Sequence, residues 1–301
     1  MNSFKKAGVL ILLGVKDCIS GIATLKHFWS DEKHSKKERN TPKSKKKPDE
    51  HDGVFDVLMK CFVFGALFYS SIKFYEKMML EYGLQYLESV VEFDYVAGIR
   101  FLYYILNCIL FFSWILPLFI VSRLLNYAWY QEIADLTFES TKGKKNTSFG
   151  FSFSLADQFT SIFIQVFFLA QGYAIISMPI PFAVKQLLSV LHLSILYSLY
   201  AFEYKWVQEG LPLNKRLSYI EKRWPYFIGF GLPLAILTSC VSTYLESIIV
   251  FSTFFPMYVF SSTVVLDSKI EKYCKTMPIF KLSELTTEFI IKYVLPIFFS
   301  F

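Results

Sequence analysis

Residues 101–125 read FLYYILNCILFFSWILPLFIVSRLL, with Arg100 just before the run and Arg123 near its end. A helix that crosses the hydrocarbon of a bilayer needs about 20 mostly apolar residues, and this stretch supplies them without a charge between Phe101 and Ser122. Working outward, Val54–Met79 is a weaker candidate, with Asp56 and Lys60 near one end and Lys73, Glu76 and Lys77 near the other. Phe159–Met178 and Phe182–Phe202 form a pair separated by the tight Pro179-Ile180-Pro181 turn. Trp224–Val265 is too long for one straight crossing at about 1.5 Å per residue and reads as two segments joined around Tyr244-Leu245-Glu246. About six membrane-embedded segments result, so the expected fold is an all-α polytopic membrane helical bundle. Strands are not expected, because the runs are long and continuously apolar.

Composition agrees. Apolar residues make up 54 % of the chain and charged ones only 19 %, whereas a soluble domain carries about 25 % charge. The 33 phenylalanines and 19 tyrosines suit helices whose outer faces meet lipid, with Tyr and Trp at the water boundary.

The basic residues set the orientation. Lys33, Lys36, Lys37, Arg39, Lys43, Lys45, Lys46 and Lys47 crowd the first long loop. Further clusters fall at Lys142, Lys144 and Lys145, at Lys205 to Arg223, and at Lys269, Lys272 and Lys275. The intervening connections, Glu81–Asp94, Pro179–Pro181 and the stretch around Glu246, carry no Lys or Arg. This alternation places the amino terminus and the basic loops in the cytosol. It does not separate full crossings from hairpins that enter and return. Pro225, Pro233 and Pro256, with Gly229-Phe230-Gly231, mark the last pair as a candidate re-entrant hairpin.

Four regions follow. Residues 1–29 carry Leu12, Val15, Ile19 and Ile22 on one face and read as an amphipathic helix at the membrane interface rather than a cleaved signal. Residues 30–52, with charges of both signs, Pro42 and Pro48, read as a basic disordered cytosolic loop. Residues 53–266 form the membrane-embedded helical domain. Residues 267–301 form a carboxyl-terminal interfacial segment, because the last apolar run, Phe289–Phe301, is short for a crossing.

Chemistry-bearing motifs are sparse. Cys18, Cys61, Cys108, Cys240 and Cys274 are odd in number and widely spaced, which argues against a disulfide framework or a metal site. His27, His34, His51 and His192 form no ligand pair, and no nucleophile elbow, phosphate loop or dinucleotide fingerprint is present. An enzyme, a cofactor and a nucleic-acid partner are not expected; the expected partner is the lipid bilayer.

Two polar sets remain. Lys185, His192 and Glu203 fall within about 40° on one helix face at 100° per residue, and Asp157, Ser161 and Gln171 give a weaker stripe on the preceding segment. Ionisable groups inside a membrane usually face the bundle interior or a wet cavity. Lys185, His192, Glu203, Asp157 and Gln171 are therefore candidates for an intramembrane polar path, against the alternative of helix–helix hydrogen bonding. The second set lies on short amphipathic helices. Trp129, Ile133 and Leu136 recur on one face, with Glu132 and Asp135 largely off it; Leu217, Ile220 and Trp224 recur against Arg216 and Glu221. Trp129, Glu132, Asp135, Arg216, Glu221 and Trp224 are candidates for an interfacial or partner-docking surface.

Several long blocks carry a family resemblance. LNYAWYQEIADLTFE at Leu125–Glu139, QLLSVLHLSILYSLYAFEYKW at Gln186–Trp206 and RLSYIEKRWPYFIGFGLPLAILT at Arg216–Thr238 are collinear. With Gly14-Val15-Lys16-Asp17 and Gly21-Ile22, they resemble the etoposide-induced autophagy protein family. The resemblance implies an endoplasmic-reticulum multi-pass membrane protein required for autophagy, acting as autophagosomes form or mature into degradative compartments. It also implies links to apoptosis and autophagy or membrane-contact partners, and a distant kinship with CysZ-type sulfate permeases. Two roles stay open on it: a membrane scaffold or contact-site factor, and a channel or transporter for a small anion or a lipid.

Overall fold

The computed structural model describes residues 3–39, 53–75, 77, 82–90, 98, 101, 103–105, 108–109, 112–113, 116–142, 151–241, 243–265, 270, 273 and 275–294. Its helices are α1 (Ser3–Arg39), α2 (Val54–Tyr75), α3 (Gly83–Val90), α4 (Leu116–Lys142) and α5 (Phe151–Ser177). They continue as α6 (Phe182–Gln208), α7 (Leu213–Glu221), α8 (Trp224–Ser239), α9 (Tyr244–Val264) and α10 (Lys281–Phe289), the last running into a π-helical turn at Ile290–Val294. No strand occurs among the described residues. Five stretches are long and apolar enough to cross a membrane: Lys5–Ser30, Val54–Tyr75, Asp157–Ser177, Phe182–Gln208 and Glu246–Val264. The fold is an all-α membrane bundle. Of the decisive 101–125 run, seven of the first fifteen residues lie outside the described set, and residues 116–125 open α4.

The breaks fall where the backbone chemistry puts them. Between α5 and α6 the Ile180 N–H bonds the Met178 carbonyl at 2.9 Å, and the Lys185 N–H bonds Pro181 at 3.0 Å. A proline needs no N–H partner as a helix begins. The 224–265 run divides at Cys240, whose N–H closes α8 on the Ile236 carbonyl. A capping box of Thr243 and Glu246 then opens α9.

The core sits around α8. Tyr226, Phe227, Phe230, Leu234 and Ala235 are fully buried on different sides of it, as expected for a helix apolar all round. It is wrapped by α1, α6 and α9. In lipid, helices associate through close packing and hydrogen bonds rather than a hydrophobic drive, and both are present. A Cβ on Gly14 would strike the Tyr226 carbonyl oxygen, and one on Gly229 would strike the Ile11 carbonyl. The two backbones therefore touch only because neither position has a side chain. Across the same seam Tyr226 donates its hydroxyl to Asp17 at 3.0 Å. Ser198 donates to the Phe227 carbonyl at 2.6 Å, and Ser261 to the Cys18 carbonyl at 3.0 Å.

Two elements extend beyond their expected form. The first helix continues through Arg39, ten residues past the expected end; residues 40–52 lie outside the described set. Leu12 and Ile19 of its expected lipid stripe do face outward. A second stripe of Leu10, Gly14, Cys18 and Gly21 docks α1 on the bundle. The Trp129–Glu139 helix is the continuation of α4, with Ile133 and Ala134 fully buried, since neither Gly nor Pro interrupts residues 118–142.

Candidate functional site: a polar cleft where α4, α5 and α6 diverge

Asp157, Ser161 and Gln165 stand four residues apart on α5 and so share one face. Opposite them on α6 is Glu203, whose carboxylate accepts hydrogen bonds from Ser161 Oγ and Gln165 Nε2. From α7, Arg216 reaches into the same space. Its Nη1 lies 3.5 Å from Glu203 Oε1, its Nη2 lies 4.0 Å from Asp157 Oδ2, and its side chain is 5 % exposed. Arg216 Nε donates to the Leu211 carbonyl at 2.6 Å, which fixes the guanidinium plane. Asp157 also accepts the Leu213 N–H at 3.0 Å. That N–H is an orphan donor at the start of α7, where a carboxylate is favoured. Burial lowers the Arg216 pKa from its ordinary range, and the two carboxylates oppose the shift. One guanidinium thus bridges two carboxyl groups.

Beside it lies a cavity of about 300 Å³. Glu203, Gln165, Gln158, Gln131 and Asn126 give it a polar side, while Tyr127, Tyr130, Tyr200, Tyr204, Phe251 and Phe255 wall the rest. The rings form a continuous chain. Tyr204 is 6.1 Å from Tyr127 and 6.3 Å from Tyr130, and Tyr130 is 5.2 Å from Phe255 between ring centres. Helices α4 and α5 both pack on α6 and hardly on each other. The cavity therefore opens sideways between them, past Tyr127 and Ile162, each 55 % exposed.

The expected path residues divide. Asp157 and Glu203 come together, joined by Arg216. The others do not reach them. His192 stacks on Phe168 with ring centres 4.0 Å apart and donates Nε2–H to the Phe168 carbonyl at 2.7 Å. Gly172 leaves it room, since a Cβ there would sit 2.9 Å from its ring. Gln171 donates to Ser283 on α10 at 2.7 Å, and Lys185 is half-buried in the first turn of α6. Along α6, His192 and Glu203 are about 16 Å apart.

The expected docking residues divide too. Asp135 accepts from Gln208 at 2.5 Å and Gln131 at 2.9 Å, tying α4 to α6. Trp129 meets Phe64 of α2 edge-on at 5.4 Å, and Glu132 is half-buried on α4. Glu221 and Trp224 hold the carboxyl-terminal stretch. The Glu221 carboxylate accepts the Phe280 N–H at 3.2 Å, and Trp224 Nε1 donates to the Lys275 carbonyl at 3.2 Å. Burial pushes the Glu221 carboxyl up, with the Phe280 hydrogen bond opposing it.

Sequence reasoning missed Gln165 and the tyrosine walls, and it counted Lys205 among the cytosolic loop cations although that side chain is buried in α6. The signals were present: Gln165 follows Ser161 by one turn, and Tyr197, Tyr200 and Tyr204 recur at three and four residues. Lys205 is fully buried and donates Nζ to the Val265 carbonyl at 2.7 Å, a cation at the carboxyl end of α9 where the helix dipole favours it. No group of three or more metal-ligating side chains occurs among the described residues.

A bundle of membrane-length helices around a buried apolar one, with an ion cluster at one end, defines a multi-pass helical membrane protein. The model of one family, described as "Sulfate transporter CysZ/Etoposide-induced protein 2.4", matches residues 53–241. The chain belongs to that family. It is 30 % identical over 181 residues to "Ectopic P granules protein 4" of Caenorhabditis elegans, covering 60 % of this chain and 57 % of that one. It is 30 % identical over 195 residues to "Protein EI24 homolog" of Dictyostelium discoideum, covering 61 % of each. The Arabidopsis thaliana "Protein EI24 homolog" is 26 % identical over 174 residues, covering 50 % of this chain and 53 % of that one. The chain thus spans less than two thirds of the length of these relatives.

Proposed function

We propose that this chain is an endoplasmic-reticulum membrane protein that acts in autophagy, as autophagosomes form and mature into degradative compartments. In this reading it works as a membrane scaffold, with its amino terminus and basic loops in the cytosol. Membership of the family supports the cellular role. The observation that carries the molecular one is the interrupted polar path. His192 is committed to the Phe168 carbonyl, Gln171 to Ser283, and Glu203 to Ser161, Gln165 and Arg216. The chain's deep polar groups hold helices together, as intramembrane polar side chains commonly do. The half-buried rim of the α2–α4 seam, where Trp129 meets Phe64 and Glu132 lies on α4, remains the surface for an autophagy or membrane-contact partner.

The test is reconstitution of the purified protein in liposomes, with sulfate flux and lipid scrambling measured beside His192→Ala and Glu203→Ala. A scaffold gives no activity in any of the three, while substitution of Trp129 or Glu132 impairs autophagy in cells. Activity in the native protein that disappears in a folded Glu203→Ala variant would replace the scaffold by a transporter. The lateral cavity beside Glu203 is the observation that keeps this second reading.

A further inference from the structure

We infer that the cleft between α4 and α5 is a binding site for the ammonium group of a phospholipid headgroup, entered sideways from the bilayer. Three independent features point there.

The first is its chemistry. An organic cation is held best by aromatic faces together with a nearby carboxylate. Tyr127, Tyr130, Tyr200 and Tyr204 line this cavity with the Glu203 carboxylate among them. Arg216 approaches Glu203 at 3.5 Å, yet it is shared with Asp157 at 4.0 Å. Glu203 is the acidic group on the cavity wall, where neither Arg216 nor Asp157 is among the lining residues, so a cation entering meets the carboxyl and the tyrosine rings first.

The second is depth. Gln158 and Gln165 lie in the first turns of the apolar stretch Asp157–Ser177, and Glu203 and Val207 in the last turns of Phe182–Gln208. Both sets fall within about 12 Å of one end of their spans at roughly 1.5 Å per residue. That is the level of the headgroups and the upper acyl chains, where an interfacial ligand resides.

The third is access. The mouth between Tyr127 and Ile162 faces outward from the bundle, where the helix surfaces are apolar. Phe251 and Phe255, stacked 4.6 Å apart, close the inner end. At about 300 Å³ the cavity is at the small end of the range of ligand sites, suited to a headgroup whose acyl chains stay in the bilayer. A lipid satisfies all three features; a soluble cation satisfies the first alone. This site stands apart from the scaffold reading, because a scaffold and a transporter could each hold such a lipid.

The experiment measures binding to the purified full chain in detergent, using dihexanoyl-phosphatidylcholine below its micelle concentration. Dihexanoyl-phosphatidylglycerol, which lacks the ammonium, and free choline are run beside it. Saturable binding of the phosphatidylcholine, weakened by about tenfold or more in Glu203→Gln and in Tyr127→Leu, is the expected result. Tyr127 is exposed at the mouth, so its substitution reports on the site even where Glu203→Gln impairs folding. Equal binding of phosphatidylglycerol would overturn the ammonium assignment. Choline binding as tightly as the lipid would overturn the lipid source. Unchanged affinity in a folded Tyr127→Leu variant would overturn the site itself.

Discussion

Arg216 and Glu203 show how much a single pair can carry when both partners leave water. Arg216 is 5 % exposed and Glu203 18 %, so removing one partner leaves the other charge with reduced solvation. Breaking a buried pair from one side destabilises by about 3–5 kcal/mol. Glu203→Ala is therefore expected to lower unfolding stability by about that amount in detergent or lipid. Arg216→Met combined with Glu203→Gln should cost less than the sum of the two single changes, because each removes the charge the other would strand, while Asp157 keeps the Leu213 N–H. A double-mutant cycle by thermal unfolding measures the difference, and independent, additive effects would contradict the network. Sequence spacing found Glu203 and Asp157 as polar residues inside apolar runs. It assigned Arg216 to a docking surface, since a basic residue on a short amphipathic helix looks solvated until the fold turns it inward.

At the scale of elements, the junction of α1 and α8 depends on Gly14 and Gly229. With any larger residue at either position the helices must separate, because the contact is backbone on backbone. Cys18, fully buried one turn along α1, reports on this. In a variant whose sole cysteine is Cys18, Gly14→Leu or Gly229→Leu should convert a maleimide-resistant thiol into a reactive one. Continued protection would mean that α1 is held elsewhere. The carboxyl-terminal stretch docked on α7 gives a second case. The Glu221 carboxyl is raised above the ordinary carboxylate range by burial, so the folded state binds its proton more tightly than the unfolded one. That contribution favours folding below the unfolded value and is lost as pH rises through the folded one. Glu221→Gln should flatten this loss of melting temperature as pH rises past the ordinary carboxylate range, followed by Trp fluorescence. An unchanged slope would assign the decline to another group.

At the scale of the molecule, orientation has a direct check in the sequon Asn146-Thr147-Ser148. A cytosolic position predicts no glycan when the chain is inserted into microsomes, and modification at Asn146 would invert the topology. The helix class, the tight turn before α6 and the division near Tyr244 were legible because hydropathy and proline chemistry act locally. The docking of α1 and the closing of the polar cleft were not. Each joins residues far apart in the chain: Asp17 and Tyr226 are 209 positions apart, and Asp157 and Leu213 are 56 apart. No periodicity spans such distances. The α1–α8 seam also sets a schedule for biosynthesis. Ribosomes add about 5–20 residues per second, so α1 waits roughly 10–40 s after its own synthesis before α8 exists. Throughout that interval its glycine-bearing face has only lipid, the translocation machinery or a chaperone to rest against. A messenger truncated before Trp224 would leave that face without its partner permanently, a defect for quality control to recognise.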